Sequence, residues 1–126
     1  MFSFVSRIRD YWFPVAKVST GDLLDKLNVV ADISIAPVGV GISLAPYVKT
    51  CADIFAKHHL KVVTHAFGTN VEGSWNNIQE AVRDCQRTLH EKDKVQRVST
   101  TIQLSTRVDK PQSLESRIGS VTKVAA

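Results

Sequence analysis

The side chains best able to do chemistry in this chain are polar residues spaced two apart. Asp32 and Ser34 recur with that period in Val29 to Ala36, Asn70 and Glu72 in Thr69 to Glu72. Ser99, Thr101, Gln103 and Ser105 do the same in Arg97 to Thr106. A period of two puts alternate side chains on one face of a strand. If the three runs share a sheet, these residues form one polar face, uncharged over much of its area. Hydroxyls and amides there suit a neutral heterocycle, and Glu72 or Asp32 suits a cation or an amino group. Antiparallel sheets commonly leave one face to water. The pattern therefore fits a solvated face, or an oligomer contact that holds polar pockets for a small ligand.

The other candidate constellations are weaker. Val38-Gly39-Val40-Gly41-Ile42-Ser43 runs into a predicted helix, where free N–H groups favour an anion. It is neither GxGxxG nor a P-loop, and a tight turn explains it better than an anion site. An acylphosphatase-like loop would need an arginine, which is missing here. His58 and His59 are adjacent and cannot share a helix face, His65 lies on a strand and His90 ends a helix. That spacing gives no metal site. The two cysteines, Cys51 and Cys85, fall on the apolar stripes of predicted helices and read as buried free thiols. No Ser-His-Asp or Cys-His set is supported, so no catalytic residue is assigned. Arg107-Val108-Asp109-Lys110-Pro111 reads as a local ion-pair turn or as the rim of a pocket.

The elements that must position these residues follow from periodicity. Val29, Ala31, Ile33 and Ile35 alternate against Val30, Asp32, Ser34 and Ala36, predicting a half-buried strand closed by Pro37 and the glycines. Ser43 is the expected N-cap of a helix that tolerates Pro46 in its first turn and stops near His58-His59. Leu44, Tyr47, Val48, Cys51, Ile54 and Phe55 give that helix its apolar stripe. Leu60 to Phe67 is a β-branched strand, and Thr69 to Glu72 its hairpin partner. Ser74 is a second N-cap, ahead of a helix carrying Trp75, Ile78, Ala81, Val82, Cys85 and Leu89. Arg97 to Thr106 is the last strand, and Ser113 to Val124 a closing helix with Leu114, Ile118 and Val121 on one side. The order is β-α-β-β-α-β plus a terminal helix. That is an α+β, ferredoxin-like sandwich on a four-stranded antiparallel sheet.

Composition bounds the function. With 126 residues, 44% hydrophobic and 22% charged, this is an ordinary globular chain and not a disordered or disulfide-framed one. No apolar run approaches the ~18 residues a membrane helix needs. The net charge of +4 invites a nucleic-acid partner. The basic cluster Arg83, Arg87, Lys92, Lys94 and Arg97 is interleaved with Glu80, Asp84, Glu91 and Asp93, as on a solvated helix. The predicted strands also lack the aromatic residues on which an RNA-recognition sheet stacks bases. Neither nucleic acid nor membrane is expected as a partner. Residues 1–27 read as an extension, flexible or docking, and residues 28–126 as the domain. Buried thiols and the lack of a signal peptide point to a cytoplasmic setting, or a mitochondrial one if the basic, aromatic first residues form a presequence.

At this point the motifs resemble a family. Val30-Ala31-Asp32-Ile33-Ser34-Ile35-Ala36-Pro37-Val38-Gly39, then Ser43-Leu44-Ala45-Pro46-Tyr47-Val48, look like the opening of the thiamine-binding, YkoF-like proteins. Gly68-Thr69-Asn70-Val71-Glu72-Gly73 with Trp75, and Arg107-Val108-Asp109-Lys110-Pro111, extend the likeness. Short bacterial, archaeal and fungal members carry this set. The resemblance implies dimers pairing into tetramers and a small-molecule site at or near the sheet interface. Some members of that family bind thiamine through its pyrimidine moiety and no catalysis is established for it, so thiamine is the implied ligand, with no cofactor expected. Ser34, Ser43, Thr69, Asn70 and Glu72 fall on matching motif positions and are the implied ligand-binding residues, with Glu72 as anchor. Val40 and Ile42 depart from the pattern by adding bulk to the loop. Trp75 either stacks on an aromatic ligand or caps the core.

The expected function is thus an oligomeric, non-enzymatic binder of thiamine or a related pyrimidine. The alternatives are an assembly or regulatory module sensing sulfate or phosphate at the glycine loop, and an enzyme whose acid–base pair the sequence does not reveal.

Overall fold

The computed structural model describes residues 22–125. Most of the 1–27 extension, and the presequence expectation with it, lies outside the described residues. A 3-10 turn at Leu23–Lys26 leads into β1 (Val29–Val38), α1 (Ala45–Lys57), β2 (Lys61–His65) and β3 (Gly68–Gly73). Then come α2 (Trp75–Glu91), β4 (Arg97–Ser105) and α3 (Leu114–Ala125). The strands form one antiparallel sheet in the order β2-β3-β1-β4. This is the expected ferredoxin-like βαββαβ order with a C-terminal helix.

The alternation in β1 does what its period dictates. Val29, Ala31 and Ile33 turn towards α1 and α2 and are almost fully buried. They meet Cys51, Ile54 and Phe55 of α1, Val71 of β3, and Ile78, Ala81, Cys85 and Leu89 of α2. Burying each large aliphatic side chain there contributes roughly 1.5–3 kcal/mol. Ser74 accepts the Asn77 N–H at 3.1 Å, so α2 is capped as the sequence indicates. The thiols are free and buried, with Cys85 Sγ 3.8 Å from the Cys51 carbonyl. Interaction with the Cys51 side chain, reinforced by burial, pushes the Cys85 thiol far up, so it stays protonated and unreactive.

Two local expectations are corrected. β1 does not stop before Pro37 but runs on to Val38. Its pairing with β3 ends at Ile33↔Thr69, while its pairing with β4 continues through Pro37↔Val98. Pro37 therefore sits where β1 has one neighbour, and its missing N–H breaks no ladder on the free side. Ser43 is not the N-cap of α1. That position belongs to Leu44, with no side-chain cap, and Ser43 is exposed. The N–H groups of Tyr47 and Val48 both reach the Leu44 carbonyl, at 3.0 and 3.1 Å. Pro46 brings no N–H, so the first turn has fewer donors for a serine to satisfy.

Candidate functional site

The helices leave one face of the sheet open, and register fixes what it displays. Val63, Asn70, Asp32 and Gln103 lie in one row across the four strands. The next row is Lys61, Glu72, Val30 and Ser105. Helix α3 is moored to this second row. Glu72 Oε1 accepts the Leu114 N–H at 2.7 Å, Lys61 pairs with Glu115, and Arg117 Nη1 donates to Ser105 Oγ at 3.4 Å. Val30 is only 3% exposed although it lies on the open face, because α3 covers this end. Gln112 holds the approach to the helix. Its side-chain amide donates to the Ser105 carbonyl at 2.8 Å, and the Asn28 amide donates to the Gln112 carbonyl at 2.9 Å.

Between α3 and the first row is a cleft of about 630 Å³. Asp32, His65, Asn70, Gln103 and Arg117 line its polar side, and Leu114 and Ile118 its apolar side. Such a volume lies within the usual range for small-molecule sites. His65 reaches across β3 to Asp32, with Nε2 2.5 Å from Oδ1, while His65 Nδ1 accepts the Phe67 N–H at 3.2 Å. With Nδ1 occupied as an acceptor, the neutral ring carries its proton on Nε2 and donates it to the carboxylate. His65 pairs with Gly68 in the hairpin. A Cβ at Gly68 would stand 3.3 Å from Asp32 Oδ1 and 3.4 Å from His65 Cε1. The glycine keeps that crossing open.

The five residues implied by the resemblance separate. Ser34 and Asn70 lie half-buried on the open face, and Asn70 lines the cleft. Glu72 shares that face, but one of its oxygens is engaged by the start of α3. Thr69 points the other way, is 4% exposed, and lines a second, mostly apolar cavity of about 340 Å³ with Ile33, Leu44 and Phe55. Ser43 stands exposed in the loop. Trp75 packs partly buried against the core. Sequence reasoning passed over His65, Gln103 as a cleft residue beside Asp32, and Arg117. The Lys61-Val63-His65 alternation, set against Gly68 in the hairpin, carried the signal for His65.

Arg107 and Asp109 form a bidentate pair at 2.5 and 2.8 Å. The guanidinium holds the Asp109 carboxyl down at about 2, which makes this segment the ion-pair turn of the two readings. The His58 bond at 3.1 Å, and then the Arg87 bond at 2.5 Å, likewise hold the Asp84 carboxyl below its ordinary range. Among the described residues no three histidine, cysteine or acidic side chains converge to hold a metal. No helix among them is long and apolar enough to cross a membrane.

One helix-covered face and one polar, partly roofed face define a ferredoxin-like α+β domain with a cleft suited to a small ligand. Residues 31–122 match the model of the thiamine-binding protein family, and the chain belongs to that family. It is 36% identical over 95 residues to a UPF0045 protein of Synechocystis sp., covering 75% of this chain and 78% of that one. Identity is 32% over 101 residues with a UPF0045 protein of Eremothecium gossypii, covering 79% and 95%. The crystal structure of a hypothetical protein from Methanocaldococcus jannaschii superposes with a TM-score of 0.71 at 34% identity, over 76% of this chain and 97% of that one. A Thermotoga maritima protein ascribed to thiamine biosynthesis or salvage superposes at 0.63 with 16% identity, over 75% and 98%, a likeness of fold.

Proposed function

We propose that this protein binds thiamine, through its pyrimidine moiety, in the cleft between the open sheet face and α3, and performs no chemistry on it. The observation that carries this reading is the row Asn70–Asp32–Gln103, where a carboxylate and two amides face one cavity. An aminopyrimidine offers an exocyclic amine and ring nitrogens, which match acceptors and donors of that kind. Asp32 replaces Glu72 as the anchor, because Asp32 lines the cleft while Glu72 lies one row away, at the start of α3. Asn70 remains a contact, while Ser34 lines the second, mostly apolar cavity. Thr69 and Ser43 act outside this cleft. Family membership supports the ligand class.

A binder rather than a catalyst fits the Asp32–His65 couple, which hydrogen-bonds no nucleophile among the described residues. The glycine loop is a weaker site for an anion, since Pro46 takes one donor away from the α1 start. We read the functional unit as a homo-oligomer, dimers pairing into tetramers. The exposed apolar side chains Ile118 and Val63, which flank the cleft face, support an interface there.

Isothermal titration with thiamine and with its pyrimidine fragment tests the reading. Saturable heat from both, lost in Asp32→Asn, is the expected result. No heat and no thermal shift at millimolar ligand would overturn it.

A further inference from the structure

Asp32 faces the cleft as an anchor, yet one of its oxygens is already taken. His65 Nε2 lies 2.5 Å from Oδ1, and the ring is fixed from behind by the Phe67 N–H on Nδ1 at 3.2 Å. Both side chains of the couple stay partly open to the cleft, at 36% and 39% exposure. The second oxygen, Oδ2, takes no part in this bond. Gly68 beneath the crossing leaves no side chain to separate the two groups. The couple is thus held on three sides: by a backbone donor, by a missing Cβ and by the strand register.

Apart from Arg117, the other charges near His65 are engaged or distant. On β2, Lys61 pairs with Glu115 of α3, and on β3, Glu72 holds the Leu114 N–H. β4 offers Arg97, Ser99, Thr101, Gln103 and Ser105 to this face, and its one charge, Arg97, pairs with Val38 at the far end of β1 from Asp32. α3 contributes Arg117, which leans on Ser105. His65 also borders the apolar cavity on the far side, whose other lining residues carry no charge. With His65 neutral, Asp32 therefore brings a negative charge to the cleft. With His65 protonated, the couple is neutral as a whole.

We propose that His65 is the positioning residue of this cleft: it holds Asp32 with one oxygen engaged and the other free for a cationic N–H donor, so that a proton on His65 and a cationic ligand compete. This rests on the binding reading above and adds to it a ligand charge and a pH sense. The cleft takes cations better as the pH rises, because His65 then no longer offsets the Asp32 charge, while Arg117 is the same at both ends of the range. The ring does not touch the ligand; it acts through Asp32.

The test is calorimetry on the full chain with thiamine as the probe, its thiazolium being a permanent cation, at about pH 8 and about pH 6, where imidazoles change charge. Wild type is expected to bind roughly two- to fivefold more weakly at the lower pH, the scale of a partly exposed charge pair. His65→Gln keeps a donor for Asp32 but cannot titrate in this interval, so its affinity at pH 6 is expected to equal its own affinity at pH 8. His65→Ala is expected to bind more weakly at both values. Gly68→Ala crowds the couple without deleting either member, and is expected to bind more weakly at pH 8 with a flatter profile. Thermal melts identify any variant that has lost its fold. If wild type and His65→Gln bind thiamine with the same pH profile, the positioning role falls while the binding site stands. If wild type gives no heat at either pH, the binding reading itself falls and takes this proposal with it.

Discussion

Glu72 and Asp32 lie on the same sheet face, one row apart, and do different work. Glu72 accepts the first N–H of α3, where a carboxylate also meets the positive end of the helix dipole. Glu72→Ala is therefore expected to lower stability by about 1 kcal/mol and to speed amide exchange in the first turn of α3. Thiamine affinity should stay within about twofold, a change too small to mark an anchor. Asp32→Asn should do the reverse, losing binding at little cost in melting temperature. The alternation of two placed both residues on one face. It could not apportion their roles, because their partners lie 42 and 33 positions away in the chain. A second residue-scale expectation concerns acid. Asp84 is held below its ordinary range by His58 and then Arg87, so its contribution is complete above the usual carboxylate range and fades as the pH falls through its lowered value. Asp84→Asn should therefore melt below wild type at pH 7, with the gap closing below about pH 4.

At the scale of elements, local physics was legible wherever it was repeated. The stripes of α1 and α2 and the alternation of β1 and β4 depend on many side chains, and one exception does not erase the period. Single-residue signals were less secure. Ser74 and Ser43 both stand just ahead of a helix, but only Ser74 has a free N–H within reach of its hydroxyl. Ser74→Ala should therefore cost about 1 kcal/mol, and Ser43→Ala should leave the denaturation midpoint unchanged. Chemical denaturation of the two variants side by side checks this. Pro37 makes the same point for strands. Its tolerance depends on where β3 ends, a fact of topology that the sequence around Pro37 does not contain.

At the scale of the whole molecule, the +4 charge is less one-sided than the sum suggests. Lys49 pairs with Asp53, Arg87 with Asp84, Lys61 with Glu115 and Arg107 with Asp109. What stands out instead is apolar. α3 is moored to the sheet at its N-terminal end, yet Ile118, Val121 and Val124 are 64%, 70% and 88% exposed. The sequence placed Leu114, Ile118 and Val121 on one side of this helix. Within this chain only the start of that side finds cover, because the second row of the sheet, where Val30 lies, occupies only the first turns of the helix. A run of exposed aliphatics beside an open sheet face is a surface that association would bury. The oligomer reading therefore makes a specific prediction. Light scattering should give a mass above that of one chain for wild type, and Ile118→Lys with Val121→Lys should move it towards the monomer with the circular dichroism spectrum unchanged. A monomeric wild type would end the oligomer reading. A double variant that keeps the full mass would move the interface away from α3.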